Sequence, residues 1–328
     1  MRTINKFTCL LSLATVLVIS GCHQVAKTQT AVVSDSITYT NPIIPKYLAD
    51  PYMRFENGYY YLFATGEAQD SRCIPIHRSK DLSKWEFVRG AVANGAKTDW
   101  NYKHFWAPEV YKIKNKFYLY YSASPEGSPD NSANRVGLAI ADSIQGPYQN
   151  VGVVIPHASI DGHVFFDTDS TMTIFYTIER GNKDGLVAGQ IYADKLLTPT
   201  QVEGKPVQII SHHPWQEGPF VLHRNNKYLL TYSCGGWTDS TYHVRYAVGT
   251  QPVGPYSELP DTILKSNKLV KGPGHHSLFI DKSGKDWIVY HGWDTAYKAR
   301  YPRIDRLFIK GNKLSSDGPT YIPQSINK

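Results

Sequence analysis

Asn115-Lys116-Phe117-Tyr118-Leu119-Tyr120-Tyr121 opens on a turn dipeptide and runs into aromatic and aliphatic side chains, and the chain repeats the pattern four more times. The other copies are Asn57-Gly58-Tyr59-Tyr60-Tyr61-Leu62-Phe63, Ser170-Thr171-Met172-Thr173-Ile174-Phe175-Tyr176, Asn226-Lys227-Tyr228-Leu229-Leu230-Thr231-Tyr232 and Lys285-Asp286-Trp287-Ile288-Val289-Tyr290. Their starts lie 58, 55, 56 and 59 residues apart. A continuous apolar run of this length reads as a strand buried on both faces. One such strand per even period of this size is the mark of a propeller blade. A β-sandwich would instead show turns about every 8–12 residues and no long period. The expected fold is therefore all-β, a five-bladed β-propeller.

Outward from the seed, the second unit spells out a whole blade. It predicts an inner strand from Ala107 to Ile113, a turn at Asn115-Lys116, and a second strand from Phe117 to Ser122. A Ser-, Pro- and Gly-rich loop over 124–134 leads to a third strand from Val136 to Ala141, and Gly146-Pro147-Tyr148 turns into a short outer one. The fourth unit repeats the plan and ends on the same tripeptide, Gly254-Pro255-Tyr256.

Upstream of each copy, six to ten residues away, stands an ionisable side chain: Asp50, Glu109, Asp161, Glu217 and His275. Were each upstream segment the innermost strand of its blade, all of these groups would meet at one axis. Cleavage of a glycosidic bond needs two carboxyl groups, one to donate a proton and one to act as base or nucleophile. Asp50, in Leu48-Ala49-Asp50-Pro51-Tyr52, and Glu217, in Trp215-Gln216-Glu217-Gly218-Pro219-Phe220, form the pair to examine, with Asp161 as a third. A carboxyl against aromatic surface keeps its proton and can serve as the acid; one at a pocket mouth stays ionised. Glu109 reads as a structural partner rather than a catalyst. His212 and His213, adjacent on an extended chain, project to opposite faces and cannot readily share an ion.

The first 22 residues read as a leader: Arg2 and Lys6, an apolar run from Leu10 to Ile19, and a small-residue end at Ile19-Ser20-Gly21-Cys22. The ending resembles the lipobox of bacterial lipoproteins, with Cys22 as the acylated residue and 23–38 as a flexible tether. A plain cleaved signal is the alternative. The expectation is an exported, membrane-anchored protein, on the periplasmic face or the cell surface, with 39–328 as one catalytic propeller. No later segment has the apolar length to span a bilayer. The formal charge of +7 comes from scattered residues without a nucleic-acid motif, so a nucleic-acid partner is not expected. Cys73 and Cys234 fall in different units, and their spacing matches no zinc site.

A more specific signal lies in the order of six short motifs: Asn41-Pro42 with Ala49-Asp50-Pro51, Trp106-Ala107-Pro108-Glu109, Ile160-Asp161 with Phe165-Phe166-Asp167, Glu217-Gly218-Pro219, Gly272-Pro273-Gly274-His275, and Tyr290-His291-Gly292. In this order the chain resembles glycoside hydrolase family 43, from about residue 41 to residue 308. The resemblance implies a five-bladed propeller, in agreement with the repeat count. It implies an inverting hydrolysis with Asp50 as general base, Glu217 as general acid and Asp161 tuning and positioning the acid. It implies Trp106 as a wall of the sugar pocket and Arg300 as a sugar-site arginine. It also implies His275 as an axial histidine near a hydrated calcium ion, with no cofactor for the chemistry itself. The turn Asp167-Thr168-Asp169-Ser170 departs from the family's acidic Gly turn, and His276 is atypical and expected to face away from the axis. The expected activity is an exo-acting, monomeric glycosidase that releases terminal pentoses from arabinose- or xylose-containing glycans. An α-L-arabinofuranosidase comes first and a β-xylosidase second. An endo-arabinanase, a galactan-active member or a non-catalytic glycan-binding lipoprotein stand as alternatives.

Overall fold

A computed structural model describes residues 37–127 and 131–326. The leader, Cys22 and the tether as far as residue 36 lie outside the described residues. Every regular element described is a strand. The first blade runs Ala49–Glu56, Tyr59–Thr65, Cys73–Ser79 and Glu86–Val92, from inside to outside. The second is Lys103–Ile113, Lys116–Ser124, Arg135–Ala141 and Gln149–Val153. The third is Ser159–Phe166, Met172–Ile178 and Ile191–Thr198, with both Gln201–Val202 and Val207–Ile210 pairing to its third strand. The fourth is Gln216–Arg224, Lys227–Cys234, His243–Gly249 and Tyr256–Glu258. The fifth is Lys271–Ile280, Asp286–Trp293, Arg300–Lys310 and Lys313–Ser316. All pairings within the blades are antiparallel, and the five innermost strands touch in a closed ring.

The repeated aromatic strand is the second of each blade, as its composition predicts. Tyr121, Tyr176, Tyr232 and Tyr290 are fully buried at equivalent positions, between one blade and the next. Each such ring removes roughly 150–250 Å² from water, a gross gain of about 4–6 kcal/mol before conformational entropy is charged. The circle is closed by Thr38–Tyr39, which pairs with Gln324–Ser325. Beside it the Asn41 amide donates to the Ile304 carbonyl (2.8 Å) and accepts the Ile304 N–H (3.0 Å).

One local feature decides where the site lies. Every innermost strand carries a β-bulge near its start, two residues facing one on the second strand. The first bulged residue is Asp50, Ala107, Asp161, Gly218 or His275, each with positive φ between 40° and 63°. The equivalent positions are therefore Asp50, Asp161 and His275 only. Glu217 sits one residue ahead of its two-residue bulge, and Glu109 one residue beyond its own. This corrects the expectation that all five ionisable groups hold one blade position.

Candidate active site

At each bulge the N–H of the first bulged residue points to the neighbouring blade. There it meets a side chain one blade back. Ala107 donates to Thr65 Oγ1 (2.9 Å), Asp161 to Ser122 Oγ (3.0 Å) and His275 to Ser233 Oγ (2.8 Å). The Asp50 N–H meets His291 Nδ1 (3.2 Å). In the fourth blade the pattern changes, and the Gly218 N–H donates to Oδ2 of Asp161 (3.1 Å). Thr65, Ser122, Thr177, Ser233 and His291 recur 57, 55, 56 and 58 residues apart. This second register was missed in the sequence, where polar residues at strand ends pass for turn formers.

Asp50 is buried and held on both oxygens. Oδ1 lies 3.1 Å from His291 Nδ1, 3.3 Å from the Arg300 guanidinium and 3.6 Å from His275 Nδ1. Oδ2 accepts the Thr65 hydroxyl (2.6 Å). Burial pushes this carboxyl up, but the charges of His275 and Arg300 and the contact with His291 outweigh it and hold Asp50 well below the usual carboxylate range. Asp161 meets the same imidazole nitrogen, with Oδ2 3.8 Å from Nδ1. Burial, with the charges of Glu217 and Asp50, pushes Asp161 up to about 8 against the pull of His275. Asp161 therefore retains its proton near neutrality. His275 is raised in turn: burial would lower it, but Asp50, Asp161 and Glu217 surround it.

Glu217, also buried, is gripped by two donors: the Tyr242 hydroxyl on Oε1 (2.6 Å) and the Trp215 indole N–H on Oε2. Neither residue was singled out from the sequence as a ligand of the acid. Glu179, at the end of its blade's second strand, is a further buried carboxyl beside this group. Burial raises it, and the Glu217 charge adds to the effect. Arg300 reaches Asp50 with one nitrogen and the Tyr47 hydroxyl (2.7 Å) with another. Its guanidinium lies over the rings of Trp237, Tyr47 and Trp293, 4.8, 5.5 and 5.7 Å from their centroids. Trp106 is half-buried and stacks on His104 at 4.5 Å, immediately ahead of the second-blade bulge.

Other candidates lie elsewhere. Glu109 faces His163 Nδ1 (2.9 Å) and accepts from Tyr111. His276 is buried against Thr231 Oγ1 (2.7 Å), and His213 pairs with Glu258 (2.6 Å). Cys73 and Cys234 are both free thiols. For calcium, the site offers little. His275 Nδ1 is turned between two carboxyls, and among the described residues no three His, Cys, Asp or Glu side chains are arranged to share an ion. Calcium takes six to eight oxygen ligands, so these residues do not fit a directly coordinated ion, and no step below passes through one.

Asp50, Asp161 and Glu217 thus gather around the His275 imidazole, with Arg300 among aromatic rings at their side. The arrangement can hold one carboxylate ionised and a second carboxyl protonated at the same pH. The family described as glycosyl hydrolases family 43 matches residues 39–315. A β-D-galactofuranosidase of Aspergillus niger is 28% identical over 82% of this chain and 82% of its own. An extracellular exo-α-(1→5)-L-arabinofuranosidase of Cellvibrio japonicus is 27% identical over 75% of this chain and 79% of its own. The crystal structure of a thermostable family-43 glycoside hydrolase superposes with a TM-score of 0.76 at 31% identity, covering 87% of this chain and 98% of its own.

Proposed function

The chain belongs to glycosyl hydrolases family 43 and is a glycoside hydrolase; from that premise we propose that it is an inverting, exo-acting enzyme releasing terminal pentoses, L-arabinofuranose first and D-xylose second. The observation that carries the reading is the meeting of Asp50 and Asp161 at His275 Nδ1, with Asp161 tied to the strand of Glu217 and Asp50 held ionised by its neighbours. Asp50, kept ionised by His275 and Arg300, takes a proton from a water that attacks the anomeric carbon. Glu217 delivers its proton to the departing glycosidic oxygen, so the leaving group departs as a neutral alcohol. Asp161, through the Gly218 N–H, fixes the strand that carries Glu217. His275 acts as a charged spacer between Asp50 and Asp161. Arg300 and Trp106 line the sugar site. No cofactor enters this chemistry.

The arabinofuranosidase reading is favoured because two of the relatives named above act, by their names, on sugars in the five-membered ring form. The test is a panel of aryl α-L-arabinofuranoside, aryl β-D-xyloside, aryl β-D-galactofuranoside and debranched arabinan, with Asp50→Asn as control. One pentose released from one aryl glycoside, and lost in the control, supports the reading. Shortening of arabinan to oligomers with aryl glycosides untouched would make the enzyme endo-acting. We also propose export and acylation at Cys22. The arabinofuranosidase relative is named as extracellular. Labelled palmitate should enter the wild-type protein and not Cys22→Ser.

A further inference from the structure

Glu217 is the only one of the three clustered carboxyls held by an indole. The Trp215 N–H donates to its Oε2, and an indole nitrogen is a donor only, so this bond can orient the carboxyl but cannot exchange a proton with it. The ring is itself fixed on two sides. The Arg180 guanidinium stands 4.5 Å from its centroid. Gly189 lies so close that a Cβ there would come within 2.5 Å of Cε3. The loop carrying the ring is tied down as well. Gln190 donates to the His213 carbonyl (2.9 Å), His213 Nε2 meets Glu258 (2.6 Å), and the Gln216 N–H donates to Gly189 (2.8 Å).

We infer that Trp215 is a positioning residue for the proton donor, and that the Arg180 stack sets the angle of its ring. The inference rests on Glu217 being the general acid. Tyr242 fixes one carboxyl oxygen and Trp215 the other, so together they stop rotation about the last side-chain bond. Without the indole N–H the carboxyl swings about the Tyr242 contact. Proton delivery then suffers most where the leaving group needs it most. Arg180 is exposed; its backbone N–H donates to Glu179 and its guanidinium stacks on this ring.

The experiment compares kcat/KM on the 4-nitrophenyl and 4-methoxyphenyl glycosides of the sugar that the wild type releases. Trp215→Phe keeps a ring on Arg180 and removes the donor. It should lose about tenfold or more on the 4-methoxyphenyl substrate beyond any loss on the 4-nitrophenyl one, in line with a positioned acid's contribution. Arg180→Ala should lose in the same direction by a smaller factor, and this surface change carries the test alone if Trp215→Phe does not fold. Equal losses on both substrates, or none, in the folded variant would overturn the inference. Glu217→Gln separates the two claims. If it too shows no dependence on the leaving group, the acid assignment has failed; if it shows the dependence and Trp215→Phe does not, only the role of Trp215 has failed.

Discussion

Asp50 and Asp161 are the same residue type at the same bulge position, yet their neighbours drive them apart. Asp50 has Arg300 and His291 in addition to its share of His275, and these outweigh its burial. Asp161 shares His275 but also faces Glu217 and Asp50, so burial and repulsion win. The base is therefore ionised across the working range, and activity should fall on the alkaline side, where Asp161 loses its proton. Asp161→Asn removes that titrating group. The alkaline limb of kcat/KM against pH should then be lost or displaced by about one unit or more, and an unchanged limb would deny the role of Asp161. Of these residues, Asp50, Asp161, Glu217 and His275 were legible because ionisable groups recur just upstream of each aromatic strand, and Arg300 only through the family resemblance. Trp215, Tyr242 and Thr65 were not. Their types are common in any propeller core, and only the folded geometry shows which oxygen each one meets.

At the scale of the strand, the bulge converts a repeat into a site. An unbroken inner strand would alternate its side chains between neighbouring blades. The left-handed residue breaks that alternation, and in the first, third and fifth blades it is Asp50, Asp161 or His275, which meet one another. Its cost is met in part by the hydroxyl that accepts the bulged N–H. Ser233→Ala should orphan the His275 N–H and destabilise by roughly 1–3 kcal/mol, read as a lower midpoint in urea, with activity reduced further because His275 is no longer held. Gly218→Ala meets one penalty, a φ of +58°; the added Cβ would stand at ordinary contact distance, 3.4 Å, from the His275 ring. A loss of about 1–2 kcal/mol is expected from the backbone alone. The five-fold period of the second strand was plain in the sequence. The bulge was not, since an extra residue in one strand looks the same as ordinary drift in the spacing. That is why Glu109 and Glu217 were expected at the position that Ala107 and Gly218 occupy.

For the whole molecule, the ring of blades is a circle with one seam. Thr38–Tyr39 against Gln324–Ser325, the Ile326 N–H on the Ile37 carbonyl (2.9 Å) and the Asn41 amide on the fifth blade hold it shut. Two-residue pairing gives little sequence signal, and this seam went unread. Removing residues 322–328 should lower Tm by on the order of 5 °C while leaving the catalytic carboxyls in their blades; a truncated protein as stable as the full chain would place closure elsewhere. The account as a whole rests on Asp50 acting on a water and not on the sugar. The most direct measurement is proton NMR of the anomer that forms first, before mutarotation, during hydrolysis of an aryl α-L-arabinofuranoside. The account predicts the inverted, β-configured sugar. The α-anomer appearing first would mean a covalent glycosyl-enzyme and would contradict the role given to Asp50.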